Sequence, residues 1–234
     1  MIERRVEPEW LDKLPAGDPR AVRSRRDLRL MNRIMGHGAI VGRALRDRLS
    51  APAPRIAELG AGDGTLLARI AAAAKWARGA EIVLVDRQPV VGAATEARYG
   101  QLGCRVAVDA ADVFDWLAGS VRPYDAIVAN LFLHHFDAPQ LAKLFHLASA
   151  RTGLFVACEP RRARLPLAGS RMLGLIGCCD VTRHDALLSV RAGFSDRELS
   201  ALWPASGGWT LQERRAGLFS HLFTAYRPLV TAAA

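Results

Sequence analysis

"RIAELGAGDGTLLARI", Arg55 to Ile70, sets three glycines and two acids between two apolar runs. The first run is short and apolar enough for a buried strand, and the second repeats leucine and isoleucine at helical spacing. A strand that turns through glycines into a helix opens an α/β unit, whose ligand lies across the carboxyl end of the strand. A dinucleotide turn takes G-x-G-x-x-G, which would put its third glycine at 65, where this chain has Thr65. The glycines run G-x-G-x-G instead, and Asp63 among them would meet a pyrophosphate with like charge. The turn suits a nucleoside that carries positive charge and no phosphate, and S-adenosylmethionine, with its sulfonium and α-ammonium, is such a ligand.

Working outward, short apolar runs alternate with amphipathic ones. Strands are expected at 55–60, 81–86, 104–108, 124–130 and 154–159, with helices at about 64–76, 88–100, 111–119 and 137–150. Continuous apolar strands alternating with helices predict a parallel sheet covered on both faces. Two last strands, around 209–216 and 218–227, are joined by Gly217 and little more, a link short enough only for an antiparallel hairpin. Residues 1 to about 50 read as helical, with Asp18 as an N-cap, Pro19 in the first helical position and Gly36 as a stop. The expected architecture is α/β: a Rossmann-like seven-stranded sheet, mostly parallel with a C-terminal antiparallel hairpin, plus an N-terminal helical lid. Residues 1–50 would form that lid and 51–234 the cofactor-binding domain, with an acceptor-binding insertion at about 160–200.

The stretch E-L-G-A-G-D-G, an acid closing the second strand and "LFLHHF" after the fourth together resemble class I S-adenosylmethionine-dependent methyltransferases of the small-molecule branch, over Arg55 to about Glu159. The resemblance implies that Glu58, Gly60, Gly62 and Gly64 shape the loop under the methionine part of the cofactor. It implies that Asp86 takes the ribose hydroxyls, with Arg87 beside the adenine. It assigns Asp112 to the adenine amino group and Val113 to the ring face, Asp109 being the alternative acid. Asp112 would equally serve as the N-cap of the helix beginning at "VFDWL". Asn130, ending the fourth strand, would lie near the reacting methyl.

Methyl transfer is an in-line displacement, so the protein's main task is alignment, with a base added where the acceptor must lose a proton. Amine methylases of nucleic-acid bases carry an N/D-P-P-F/Y motif after the fourth strand. Here Asn130-Leu131-Phe132-Leu133 has no proline, and no cysteine nucleophile stands there either. Both absences weigh against nucleic-acid bases as substrate. Candidate bases are His134, at the rim after the fourth strand, and His184, in "TRHDA" between Arg183 and Asp185. Arg183 and Arg191 are candidates to hold an anionic acceptor, and Met31 and Met35, with Trp10 and Asn32, candidates for an acceptor wall. Glu159-Pro160 either reaches the acceptor or merely ends the fifth strand.

The net charge of +9 is almost entirely arginine, lysine standing only at 13, 75 and 143, and no basic run is interleaved with base-stacking aromatics. Cys104, Cys158, Cys178 and Cys179 form no disulfide framework and no metal-ligand spacing, so no metal is expected and a reducing cytoplasm suits them. No apolar run reaches the roughly 20 residues of a membrane span. The expected activity is methylation of a small, aromatic or polyketide-like acceptor at oxygen, with ring carbon of a quinone, or RNA, as alternatives, and a non-catalytic cofactor-binding scaffold as the last of them. A homodimer is left open.

Overall fold

The computed structural model describes residues 2–227. Seven strands, β1 (Arg55–Leu59), β2 (Glu81–Asp86), β3 (Arg105–Ala110), β4 (Ala126–Asn130), β5 (Leu154–Pro160), β6 (Thr210–Ala216) and β7 (Ser220–Tyr226), form one sheet in the order β3-β2-β1-β4-β5-β7-β6. β1 to β5 pair in parallel, and β7 pairs antiparallel with both β5 and β6. The order reverses between β1 and β4, which opens a crevice at the carboxyl ends of those two strands.

Among the described residues nine α-helices accompany the sheet: α1 (Pro19–Ile34), α2 (His37–Arg46), α3 (Thr65–Ala72), α4 (Ala93–Gln101), α5 (Val113–Gly119), α6 (Ala138–Ser149), α7 (Arg164–Arg171), α8 (Asp180–Ala192) and α9 (Glu198–Leu202). Successive strand residues point to opposite faces and so feed two cores. Ile56, Ile82, Leu84 and Val128 pack with Leu45 of α2, Leu67 of α3 and Tyr99 of α4. Leu59, Val83, Ile127 and Phe155 pack with Leu117 of α5, Phe145 of α6 and Trp203. The helix expected from 88 begins only at Ala93, because Pro89 and Gly92 hold the chain extended before it.

The N-terminal stretch is helical only from Pro19. Asp18 caps α1 by accepting from the Arg20 amide at 2.7 Å, and Gly36, at φ +71°, separates α1 from α2. Residues 2–18 hold a single 3₁₀ turn, Leu11–Lys13, and are otherwise an extended strap laid across α8. Pro8 and Pro15 deny a helix there, so the strap finds partners elsewhere. The Trp10 and Leu11 amides donate to the two carboxylate oxygens of Asp185, each at 2.9 Å, and the Arg5 amide donates to the Arg191 carbonyl. Arg4 reaches the carbonyls of Ala192 and Phe136, while Arg162 donates to the carbonyl of Ile2 and pairs with Glu198.

Candidate active site

The crevice widens into one cavity of about 1010 Å³ running from the glycine turn to the strap. At its cofactor end Gly60, Gly62 and Gly64 all take positive φ, at +67°, +54° and +69°. Glycine is needed at Gly60 for a second reason: a Cβ there would stand 2.2 Å from the Phe132 ring. Gly64 faces away from the cavity, toward Leu84, and starts α3. Asp63, the acid that argued against a pyrophosphate, accepts from Thr65 and pairs with Arg29 at 2.8 Å, fastening α1 onto the turn.

Asp86 accepts from the Gly62 amide (2.9 Å) through one oxygen and from the Gln88 amide (2.8 Å) through the other. Its carboxylate is thus held at the cavity wall with lone pairs to spare, and Arg87 lines the cavity next to it. Asp112 caps α5 through the Phe114 amide at 2.8 Å and also lines the cavity beside buried Val113. Asp109 is engaged elsewhere, accepting from the Trp116 indole at 2.7 Å.

Glu58, Asn130 and His37 line the cavity together, all buried, and each keeps one polar atom without a partner: Glu58 Oε2, Asn130 Oδ1 and His37 Nδ1. Orphaned buried polar atoms are rare and ask for a ligand. Burial, with Asp63 and Asp86 nearby, pushes the Glu58 carboxyl up to about 8. A cation placed there would relieve it, which fits the ammonium end of an aminoacyl nucleoside. His37 was not singled out in the sequence. Burial drives its imidazole down to about 4, so it is neutral, hydrogen-bonded to Ser220 at 2.9 Å.

The opposite end is built on the turn after β4. Leu131 takes φ +51°, a conformation that costs a non-glycine residue roughly 1 kcal/mol or more. What holds it is Glu159, at the end of β5. One Glu159 oxygen accepts from the amides of Phe132 (3.0 Å) and Leu133 (2.9 Å), while the other takes His134 Nδ1 at 2.8 Å. Glu159 therefore caps the 3₁₀ turn Leu133–His135 and fixes the His134 ring in one stroke. His134 Nε2 faces Glu9 of the strap at 3.4 Å, and Glu9 accepts a hydrogen bond from Ser189 of α8. Burial alone would lower the His134 imidazole, but bonds to Glu159 and Glu9 and their charges outweigh it and raise it to about 9. Burial would raise both carboxyls, yet the His134 contact holds each below the usual carboxylate range. The three groups therefore rest as an imidazolium between two carboxylates, with Nδ1–H donating to Glu159 and Nε2 facing Glu9 as an ion pair.

His135 pairs with Asp12 at 3.3 Å. Glu9, His134 and His135 bring ligand atoms within 4.8 Å of one another. Here each imidazole is already engaged, His134 with Glu9 and Glu159 and His135 with Asp12.

The other expected acceptor residues divide. Met31, Asn32 and Met35 line the cavity, but His184, Arg183 and Arg191 do not. His184 stacks on Trp10 with centroids 3.8 Å apart and bonds Asp185 at 2.9 Å, so Arg183-His184-Asp185 anchors the strap and does not face the acceptor space. Arg183 packs over Gly174. Of the two candidate bases, the structure brings only His134 to the cavity. Glu9, Glu159 as an organising group, Ser189 and His37 were missed or underweighted. An acid closing β5 was the visible signal for Glu159, whereas nothing local marks Glu9.

Residues 56–152 match the sequence model of the family described as methyltransferase domain. No match was found among curated proteins. Among solved structures, the chain is similar to the pyocyanin biosynthetic protein PhzM (18% identity, TM-score 0.61), covering 94% of this chain and 62% of that one. An O-methyltransferase family protein from Burkholderia thailandensis gives 18% identity and TM-score 0.61, covering 91% and 61%. The plantazolicin methyltransferase BamL, solved with S-adenosylhomocysteine and a desmethyl plantazolicin analogue, gives 11% identity and TM-score 0.61, covering 92% and 91%. The chain thus spans about six-tenths of the length of the first two, and likeness at these identities establishes the fold.

Proposed function

We propose that this chain methylates an oxygen of a small aromatic or polyketide-like acceptor with S-adenosylmethionine, a reading supported by the match of residues 56–152 to a methyltransferase-domain model and by the likeness of the fold to solved methyltransferases. The observation that carries the reading is the single cavity, with a cation-seeking, phosphate-free cradle at one end and a carboxylate-oriented histidine at the other. Glu58, Asn130 and the Gly60–Gly62 turn would hold the aminoacyl part, Asp86 the ribose, and Asp112 with Val113 the adenine. When bound, the cofactor supplies the electrophilic methyl carbon. The strap and α1 serve as the lid of the 1–50 region, and α7 and α8 supply the acceptor-side insertion.

His134 is the catalytic base of this scheme, and Glu9 controls when it can act. While Glu9 faces Nε2 the ring is already protonated and accepts nothing. An acceptor hydroxyl that inserts at Nε2 displaces that carboxylate, and the imidazole loses one of the two charges that keep its proton on. The Nε2 proton passes to the departing Glu9 carboxylate, and the neutral nitrogen then takes the hydroxyl proton as oxygen attacks. Glu159 keeps the ring aimed throughout, because its other oxygen is pinned by two backbone amides. Phe132, Phe136, Leu28 and Met31 supply an apolar surround that excludes water from the transfer.

The test is incubation of the full chain with methyl-labelled cofactor and a panel of phenols, resorcinols and quinols, with the site of the added methyl read by NMR. An O-methyl product that disappears in His134→Ala is the expected result. Exclusive ring-carbon methylation, or turnover untouched in His134→Ala, overturns the assignment.

A further inference from the structure

Eleven large apolar side chains are exposed among the described residues, and nine of them fall on three adjoining segments: the strap, α1, and residues 164–176. Those segments ring the mouth of the cavity. Ile34 of α1 and Ile176 of the 3₁₀ turn Leu173–Ile176 both line it, yet are 61% and 53% exposed, so they stand on its rim. Met172 and Leu175, beside Ile176, are 59% and 79% exposed. The two sides of the rim are tied together: Asp27 of α1 accepts from the Cys179 amide at 2.8 Å, and Arg20 pairs with Asp180.

The same rim is strongly basic. α1 carries Arg20, Arg23, Arg25, Arg26, Arg29 and Arg33 against one acid, Asp27. Asp180 and Asp63 answer Arg20 and Arg29. Arg26 and Arg33 are exposed and pair with no acid among the described residues, and they alternate with exposed Val22, Leu30 and Ile34. Isolated apolar side chains on a surface are ordinary, but a contiguous group at a cavity mouth marks an interaction face. Apolar tips set among free guanidinium groups are the composition of a helix that lies in a lipid–water interface. A second copy of the chain would bring this positive face against another like it. RNA would meet no exposed aromatic on α1 to stack on.

We propose that the rim formed by α1 and residues 172–176 docks on an anionic bilayer surface, with the cavity mouth turned toward the lipid. The apolar tips enter the headgroup boundary, and the arginine stems run alongside them with their charges on lipid phosphates. An acceptor with a long apolar substituent then passes from the membrane into the cavity without crossing water. That last consequence rests on the methyltransferase reading; the docking itself does not.

The test is sedimentation of the full chain with vesicles of phosphatidylcholine alone and of phosphatidylcholine mixed with phosphatidylglycerol. Expected is pelleting with the anionic vesicles, reversed by added salt, and none with the neutral ones. The pair Met172→Glu and Leu175→Glu, and separately the pair Arg26→Glu and Arg33→Glu, should each lower vesicle binding about tenfold or more. Neither pair touches the cavity wall, so melting temperature and S-adenosylhomocysteine affinity serve as controls of folding and should hold. Failure to pellet with anionic vesicles, or pelleting unaffected by both pairs, overturns the proposal. So does a salt-sensitive RNA complex without vesicle binding, or a dimer that these substitutions dissociate. Vesicle binding with no affinity for S-adenosylhomocysteine would instead remove the enzymatic reading and leave the docking intact.

Discussion

The two ends of the cavity are assembled in different ways. At the cofactor end the groups are close in sequence to a strand end and are held by backbone: Asp86 by the Gly62 and Gln88 amides, Asp112 by the Phe114 amide. At the acceptor end the working group is a chain of side chains, Ser189, Glu9, His134 and Glu159, drawn from the strap, α8, the turn after β4 and the end of β5. The first end is rigid because short-range geometry dictates it. The second depends on a segment far away in the chain, so the charge state of His134 rests on where the strap lies.

That difference can be broken or sharpened experimentally. His134→Ala should lower turnover by about two to four powers of ten while leaving S-adenosylhomocysteine affinity as it was, since only the acceptor end is touched. Equal losses in turnover and cofactor affinity would mean the two ends are not separable. Asp86→Ala should do the reverse, weakening cofactor binding by roughly 1.5–3 kcal/mol in calorimetry with turnover preserved at saturating cofactor.

Proton linkage separates the ends further. Glu58, at about 8 in the free protein, is largely protonated at neutral pH. A bound cation lowers it, so cofactor binding near pH 7 should release up to about one proton, and the release should vanish well above pH 8. Calorimetry in buffers of different ionisation enthalpy reads this directly, and an unchanged apparent enthalpy would contradict it. At the other end the active form of His134 is neutral, so activity rises with pH as the ring loses its proton. Glu9→Gln removes one of the charges that raise that ring, and the acid limb of the rate profile should move to lower pH by about one unit. A limb that stays put, or moves up, would exclude Glu9 from control of the base. The smallest effect belongs to His184→Ala: turnover should stay within about a factor of two, while losing the Trp10 stack lowers stability by roughly 0.5–1 kcal/mol in thermal melts. A large loss of turnover there would restore His184 as a reacting group.

How much of this was legible in the sequence follows the same division. Strand–helix alternation, the hairpin around Gly217 and the G-x-G-x-G turn are patterns with a span of a few residues, so their geometry could be read from spacing alone. All seven strands lie where the apolar runs put them, within a residue or two at most ends. Asp112 could not be decided between cap and ligand-facing wall because one carboxylate has two oxygens and serves both. The acceptor end was harder. Arg183-His184-Asp185 has the composition of a catalytic cluster, and only the tertiary path of the strap shows that Asp185 is saturated by the Trp10 and Leu11 amides. Glu9 meets His134 across a separation of 125 positions in the chain (134 − 9), and no periodicity records such a meeting.

The strap also fixes an order of events during synthesis. Its partners, Asp185, Arg191 and Ala192, lie some 174 to 188 residues downstream, so at ribosomal speeds of about 5–20 residues per second the strap is translated roughly ten seconds or more before they exist. Within that interval Glu9 waits for His134, 125 positions on, and Trp10 waits longer for its stacking partner His184, 174 positions on. Seating the strap is therefore a late step of folding, and the wall that Glu9 adds to the cavity is complete only once the strap has docked on α8.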